Sequence, residues 1–254
     1  MISITLPSPA KINLFLHILN RRDDGYHNLQ TLFQLLDYGD QLSFTANKNP
    51  EINLTSHLDE VKPEDNLVYK AAKALQQATD CQWGCDIDLD KKLPMGAGLG
   101  GGSADAAFVL QAINELFQLG IDKSTLHRYA LSLGSDCPFF IENTPQFAGG
   151  RGEILAPMAL DLSAYEFKFI HPGIHVSTAL AFSKIKIAPA RFDLRTLPQL
   201  PMEQWKDTIE NVFEQAVFAM HPEIASAKEA LYAQGAVYAA MSGSGSSVFG
   251  IFKK

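Results

Sequence analysis

Three cysteines, Cys81, Cys85 and Cys137, are too few and too odd in number for a disulfide scaffold. Cys81 and Cys85 lack the spacing of a zinc knuckle, and no second Cys/His pair lies near them. Reduced, buried or idle thiols of a cytoplasmic protein are therefore expected. No apolar run is long enough to cross a bilayer, and the stretch from Met1 to Asn13 lacks the basic start and apolar core of a signal peptide. Positive charge is in deficit: 21 Lys and Arg stand against 28 Asp and Glu, a formal net charge of −7. A surface of that sign repels polyanions, which argues against nucleic acid as a partner and leaves room for a local pocket that takes one nucleotide. Internal repeats and low-complexity stretches are absent. What is present is a 46% hydrophobic, 19% charged chain of 254 residues, enough to bury a core in one large or two modest domains.

Periodicity sets out the elements. Ala10, Ile12, Leu14, Leu16 and Ile18 share one strand face, with Lys11, Asn13, Phe15 and His17 on the other. A loop follows over Asn20–Asn28, then strands at Thr31–Leu36 and Gln41–Ala46. Asp65 or Asn66 caps a helix from Leu67 to about Ala78. Asp86–Lys91 alternates as a strand, and helices fit Ser103–Leu119 and a segment capped by Ser124 that ends at Gly134. Gly149–Gly152 marks a candidate boundary between residues 1–152 and 153–254. Beyond it come a strand at Glu166–Ile170, a proline-punctuated stretch from Pro189 to Pro201, helices at Glu203–Met220 and Pro222–Gln234, and strands at Ala236–Met241 and Ser247–Phe252. The mixture is an α+β pattern.

Five glycines fall within seven positions between Gly96 and Gly102, directly before a helix. Glycines let backbone N–H groups approach an anion, and a helix N-terminus adds unpaired donors, so the segment reads as a phosphate cradle with the Ser103 hydroxyl at its edge. A Walker A loop is excluded, because no Lys-Ser/Thr pair follows the last glycine. Gly96, Gly98 and Gly101 match the dinucleotide pattern formally, but Asp122 precedes a helix where that pattern wants the end of a second strand. A Rossmann-type oxidoreductase stays as the alternative from a different class. A flexible surface loop fits poorly between a strand and an amphipathic helix.

Pro94–Ala107 resembles the ATP-binding motif of the GHMP kinases. Pro9–Leu14 is similar to their N-terminal motif, and Ser242–Ser247 to their C-terminal glycine motif. Arg22–Leu29, Asn66–Ala72 and Gly134–Phe140 add the pattern of the branch that acts on a cytidine diphosphate alcohol. The resemblance runs nearly end to end. It implies a two-domain GHMP kinase fold, with a ribosomal-protein-S5-like N-terminal domain over 1–152 and a ferredoxin-like C-terminal domain over 153–254. It also implies ATP as co-substrate with Mg²⁺, cytidine diphosphate methylerythritol as acceptor, and no nucleic acid or membrane partner. Sister kinases of the mevalonate or homoserine type are the runner-up, and they should lack the Gly25-Tyr26-His27 segment.

By the same resemblance Lys11 and Asp136 are catalytic. Pro94, Met95, Gly96, Ala97, Gly98, Leu99, Gly100, Gly101, Gly102, Ser103 and Ala104 hold ATP, and Asn13, Tyr26, His27 and Phe182 hold the acceptor. Read from the residues alone, Asp136 is a turn former before Pro138, Lys11 an edge-strand solubility residue and Phe182 a core ring. Asn66 and Lys92 are candidate neighbours of the adenine. Two departures stand out: Ala104 replaces a serine common in relatives, and Glu210–Glu214 differs from an expected Asn-Asp-x-Glu pattern, so no role is carried onto it. His171 and His175 straddle Pro172-Gly173 and read as loop or strand-end residues, while His57, His127 and His221 read as solvent-facing or capping.

Overall fold

The alternation at Ala10–Ile18 predicts a half-buried strand, and the strand is both longer and deeper. β1 spans Ser3–Arg21, and every residue from Ala10 to Ile18 is buried. Both faces are covered, so Lys11, Asn13 and His17 are interior groups that need partners. The two strands expected next are one: β2 spans His27–Asn47. The apparent break at Asp37–Asp40 is strand because Asp40 is buried and its carboxylate accepts the backbone N–H groups of Lys92 and Leu93 at 2.6 and 2.7 Å. The structure is a computed structural model that describes residues 2–57, 61–79, 83–187 and 192–254; Cys81 and Pro189 lie outside the described residues.

The chain divides into two compact units made of interleaved stretches. Met1–Ala10, Asp37–Met95 and Gly100–Asn143 form the first, and Lys11–Leu36, Gly96–Leu99 and Thr144–Lys254 the second. In the first unit β3 (Ile52–Ser56), which periodicity missed, runs parallel to β4 (Gly84–Asp90), and β4 pairs antiparallel with Gln41–Asn47. Four helices follow: α1 (Leu67–Thr79), α2 (Gly101–Leu116), α3 (Lys123–Leu133) and α4 (Cys137–Glu142). α2 packs against the other three, burying Ala104, Ala107, Val109, Leu110 and Ile113. Asn66 caps α1, its Oδ1 accepting from Val68 N at 2.9 Å. α3 is capped by Asp122, not Ser124. The Asp122 carboxylate accepts from the Ser124 hydroxyl and from Thr125 N, and these bonds hold its pKa at about 2.

In the second unit Thr31–Phe33 pairs with β5 (Gln146–Gly149), and β5 with β6 (Ile154–Pro157), both antiparallel. β7 (Tyr165–Ile170), β8 (Tyr238–Met241) and β9 (Val248–Lys253) form an antiparallel sheet in the order β7-β9-β8. α5 (Thr178–Lys184) was not foreseen. The single helix expected over Glu203–Met220 is broken into α6 (Trp205–Thr208) and α7 (Glu214–Met220). Between them the chain bridges to β1: Leu16 N donates to Glu210 O and Val212 N to Leu16 O. Apolar periodicity cannot register such a bridge. α8 (Pro222–Ala233) closes a core that includes Leu16, Phe213, Val217, Ile224, Leu231, Met241 and Val248. Cys85 and Cys137 are buried free thiols, pushed by desolvation up to about 11 and about 12. No helix among the described residues is long and apolar enough to cross a membrane.

Candidate active site

The glycine-rich stretch is shared by sequence between the units: Gly96–Leu99 belongs to the second and Gly100–Gly102 to the first. In the second unit Gly96–Leu99 is stitched to β1 and to the Ser242–Ser247 turn. Lys11 N donates to Leu99 O at 2.9 Å, Ser247 N to Ala97 O at 3.1 Å and the Ser242 hydroxyl to Gly98 O at 2.7 Å. Gly98 has φ +80°, and a Cβ there would lie 2.1 Å from the Ser242 carbonyl oxygen. Gly98→Ala is therefore expected to lower kcat/KM for ATP by about 10- to 100-fold with a smaller effect on the acceptor's KM, as initial-rate kinetics would read. In the first unit α2 starts at Gly101, two residues earlier than its pattern predicts. Its N-cap, Gly100, supplies no side-chain cap, and its first turn carries no acidic residue. Neither the N-cap residue nor an acidic side chain in the first turn takes the opening amides, which suits them to an anion. Ala104 is fully buried and its N–H donates to Gly100 O, so it is committed to the helix.

Lys11 is 3% exposed, which removes the edge-solubility reading. Its ammonium donates to Asn13 Oδ1 at 2.7 Å and to Gly98 O at 3.3 Å, and lies 5.1 Å from the centre of the Phe33 ring. Asn13 in turn donates to Thr31 Oγ1, and the Thr31 hydroxyl donates to Phe15 O. The β1 pleat puts Lys11 and Asn13 on one face, and Thr31 from β2 fixes the Asn13 amide so that its oxygen meets the lysine. A buried cation is thereby held against the glycine stretch within the second unit.

Asp136 belongs to the first unit. It is the N-cap residue of α4, half-buried, and its carboxylate does not cap that helix. The next residue, Cys137, is buried in the first unit beside Ser103, which lies near the start of α2. A Cβ on Gly134 would lie 3.2 Å from Cys137 Sγ and 3.9 Å from Ser103 Oγ. The starts of α2 and α4 are thus neighbours, with Asp136 at one and Ser103 at the other.

Tyr26, His27 and Phe182 lie in the second unit. Tyr26 is 56% exposed, with the Arg151 guanidinium 4.3 Å from its ring centre. His27 and Phe182 stack at 4.8 Å and 25°, and Phe182 meets Phe213 edge-on at 4.8 Å. Phe182 thus touches the core through Phe213 on one side and His27 on the other. Burial, assisted by the positive charge of Arg21, holds the His27 imidazole below its ordinary pKa. The ring is neutral near pH 7, with one donor and one acceptor nitrogen; acid turns both into donors. A depressed histidine pKa contributes stability above the unfolded value, and that contribution is lost as pH falls through the folded one. KM for a cytidine acceptor is therefore expected to stay flat through the ordinary histidine range and to rise only on acidification below it, with KM for ATP unchanged.

Several contacts escaped the sequence reading. Asn211 is buried, and its amide donates to Met241 O at 2.7 Å and Gly243 O at 2.8 Å, anchoring the C-terminal glycine turn. Glu214 accepts from Met241 N and pairs with Lys228. The segment that departed from its expected pattern, and was given no role, holds this turn. Spacing gave no sign of it, because the partners are more than 25 residues away. Asp40, Lys91 and Asp105 form a buried charged cluster in the first unit. His171 and His175 lie in a loop, and no group of three or more His, Cys, Asp or Glu among the described residues could hold a metal ion. His221 precedes α8, His57 is exposed, and His127 pairs with Glu142.

Residues 66–143 match the family described as GHMP kinases N terminal domain, and residues 190–254 match GHMP kinases C terminal. A 4-diphosphocytidyl-2-C-methyl-D-erythritol kinase of Bacteroides fragilis is 46% identical over 253 residues, covering 98% of this chain and 92% of its own. A crystal structure of a 4-(cytidine 5'-diphospho)-2C-methyl-D-erythritol kinase superposes with a TM-score of 0.86 at 33% identity, covering 97% of this chain and 89% of that one. Homoserine kinase from Cytophaga hutchinsonii shares the fold, with a TM-score of 0.76 at 19% identity over 99% of this chain and 85% of that one. The chain belongs to the 4-diphosphocytidyl-2-C-methyl-D-erythritol kinase family, within the GHMP kinases.

Proposed function

We propose that this protein transfers the γ-phosphoryl group of ATP to the 2-hydroxyl of 4-diphosphocytidyl-2-C-methyl-D-erythritol, giving the 2-phosphate and ADP in the non-mevalonate route to isoprenoid precursors. The observation that carries the chemistry is the buried Lys11 ammonium held between Asn13 Oδ1 and the Gly98 carbonyl. A dinucleotide site needs no such cation; phosphoryl transfer to an alcohol gains from one, because charge builds up on the attacking oxygen.

Pro94–Ser103 binds the ATP phosphates, chiefly through backbone donors at the start of α2. Lys11 stabilises the developing alkoxide, Asn13 orients Lys11 and the acceptor, and Asp136 takes the hydroxyl proton. Tyr26 stacks on the cytosine, His27 bonds its polar edge, and Phe182 supplies a second ring surface. Mg²⁺ fits this chain as a companion of the nucleotide: the described residues offer no cage of ligands, and Mg²⁺ commonly keeps phosphate oxygens and water as its partners. When bound, it neutralises charge on the transferred phosphate. We further propose division near residue 152 into N- and C-terminal domains, which the family matches at 66–143 and 190–254 support, and a cytoplasmic location, where ATP is at hand.

ATP consumption should be measured with the cytidine diphosphate acceptor beside mevalonate, phosphomevalonate and homoserine. Saturable turnover with the cytidine compound alone is expected. Preference for any of the other three would overturn the substrate assignment.

A further inference from the structure

We propose that Lys91 is a positioning residue for ATP: by bridging Asp40 and Asp105 it clamps the entry and the exit of the glycine-rich loop, so that the amides opening α2 are aligned before the nucleotide arrives. The inference rests on the reading that this loop binds ATP.

All three side chains are interior, with Lys91 8%, Asp40 0% and Asp105 2% exposed. The Lys91 ammonium pairs closely with Asp40 Oδ2 and donates to Asp105 Oδ2 at 2.9 Å. The other Asp40 oxygen accepts from Lys92 N and Leu93 N, the last two amides before Pro94. The entry to the loop is thereby fixed to β2. Asp105 lies on α2 four residues beyond Gly101, so the same ammonium fixes the exit. Gly101 sits over the lysine: a Cβ there would lie 2.8 Å from Lys91 Nζ, 3.1 Å from Leu93 Cδ1 and 3.3 Å from Asp40 Oδ2. Any side chain at Gly101 would therefore crowd the clamp.

A lysine next to a glycine loop invites a direct phosphate contact. Here two buried carboxylates already occupy it. The cluster holds two carboxylates against one ammonium, and the positive end of α2 lies beside the excess negative charge. Desolvation raises the pKa of Asp105 to about 6, opposed by Lys91 and reinforced by Asp40. Ser8 lies on the remaining side and lowers it a little, yet neither the Ser8 hydroxyl nor Asp105 Oδ1 completes a hydrogen bond. Buried charge of this kind is poor value as stabilisation and better suited to fixing one geometry.

The test compares wild type, Asp105→Asn and Asp105→Ala. The alanine variant cuts the exit tether while leaving the Lys91–Asp40 pair neutral; the asparagine variant keeps an oxygen for Lys91. We expect Asp105→Ala to raise KM for ATP, and the calorimetric Kd for ADP, by about tenfold or more, with KM for the cytidine acceptor within about twofold. Asp105→Asn should return to within about threefold of wild type. A lowered melting temperature with unchanged ADP affinity, or equal loss for both substrates, would overturn the clamp. If Asp105→Ala is not recovered folded, Asp105→Ser is judged by the same criterion. Wild-type protein that fails to bind ADP or to saturate with ATP would instead sink the reading of the loop itself.

Discussion

Asp136→Asn is expected to lower kcat by about 10²- to 10⁴-fold while leaving the affinity for ATP within about twofold. The acceptor is a tertiary alcohol, whose proton is far too weakly acidic to leave unaided at neutral pH. A positioned carboxylate that receives it as the oxygen attacks phosphorus is worth that order of rate. Asparagine keeps the shape and removes the proton acceptor. Asparagine is isosteric with aspartate, and the turn at the start of α4 is made by backbone, with Phe139 N donating to Asp136 O at 3.2 Å. The adjacent thiol cannot take over as base: desolvation pushes Cys137 up to about 12, so it stays protonated. The measurements are steady-state kinetics in both substrates and a direct ADP titration. Turnover near the wild-type rate would remove Asp136 from the base role, and loss of ADP binding in step with kcat would point to a structural effect.

The parts of this fold that were legible in the sequence are those governed by local rules. Asn66 followed by apolar residues at helical spacing gave α1 almost to the residue, and the glycine run before an amphipathic pattern gave α2. Local rules failed where a distant partner decided the outcome. Asp37–Asp40 falls in the gap between two expected strands because nothing near Asp40 in sequence explains a buried carboxylate; its partners are Lys91–Leu93, about 50 residues on. The break at Glu210–Phe213 is invisible for the same reason, since Leu16 supplies the bridge. Ser124 and Asp122 are both capable caps, and the two-oxygen acceptor won by taking the Ser124 hydroxyl as well as a backbone amide. At the site, glycine spacing and family pattern single out the residues, but only the fold ties Lys11 to Asn13 and Gly98, and Asn13 to Thr31.

Lys11→Met is expected to cost about 10²- to 10³-fold in kcat, the range seen when one preorganised electrostatic group is removed from a charge-developing transition state. Methionine fills nearly the same volume, so the site, 3% exposed in the native chain, is not left with a cavity. The ammonium, its bond to Asn13 Oδ1 and its position over the Phe33 ring are lost together. An unpartnered buried amide oxygen costs about 1–3 kcal/mol, but burying the lysine also carried a desolvation cost, and the two oppose each other. Stability should therefore move much less than rate, a separation that thermal melts run beside kinetics can read. Lys11→Arg should not rescue turnover. The guanidinium is longer and planar, so its fork does not reproduce the compact contacts that the ammonium makes with Asn13 Oδ1 and Gly98 O. Recovery of rate in the arginine variant would mean that positive charge alone suffices there, and the ammonium's placement against the glycine stretch would lose its part in the mechanism.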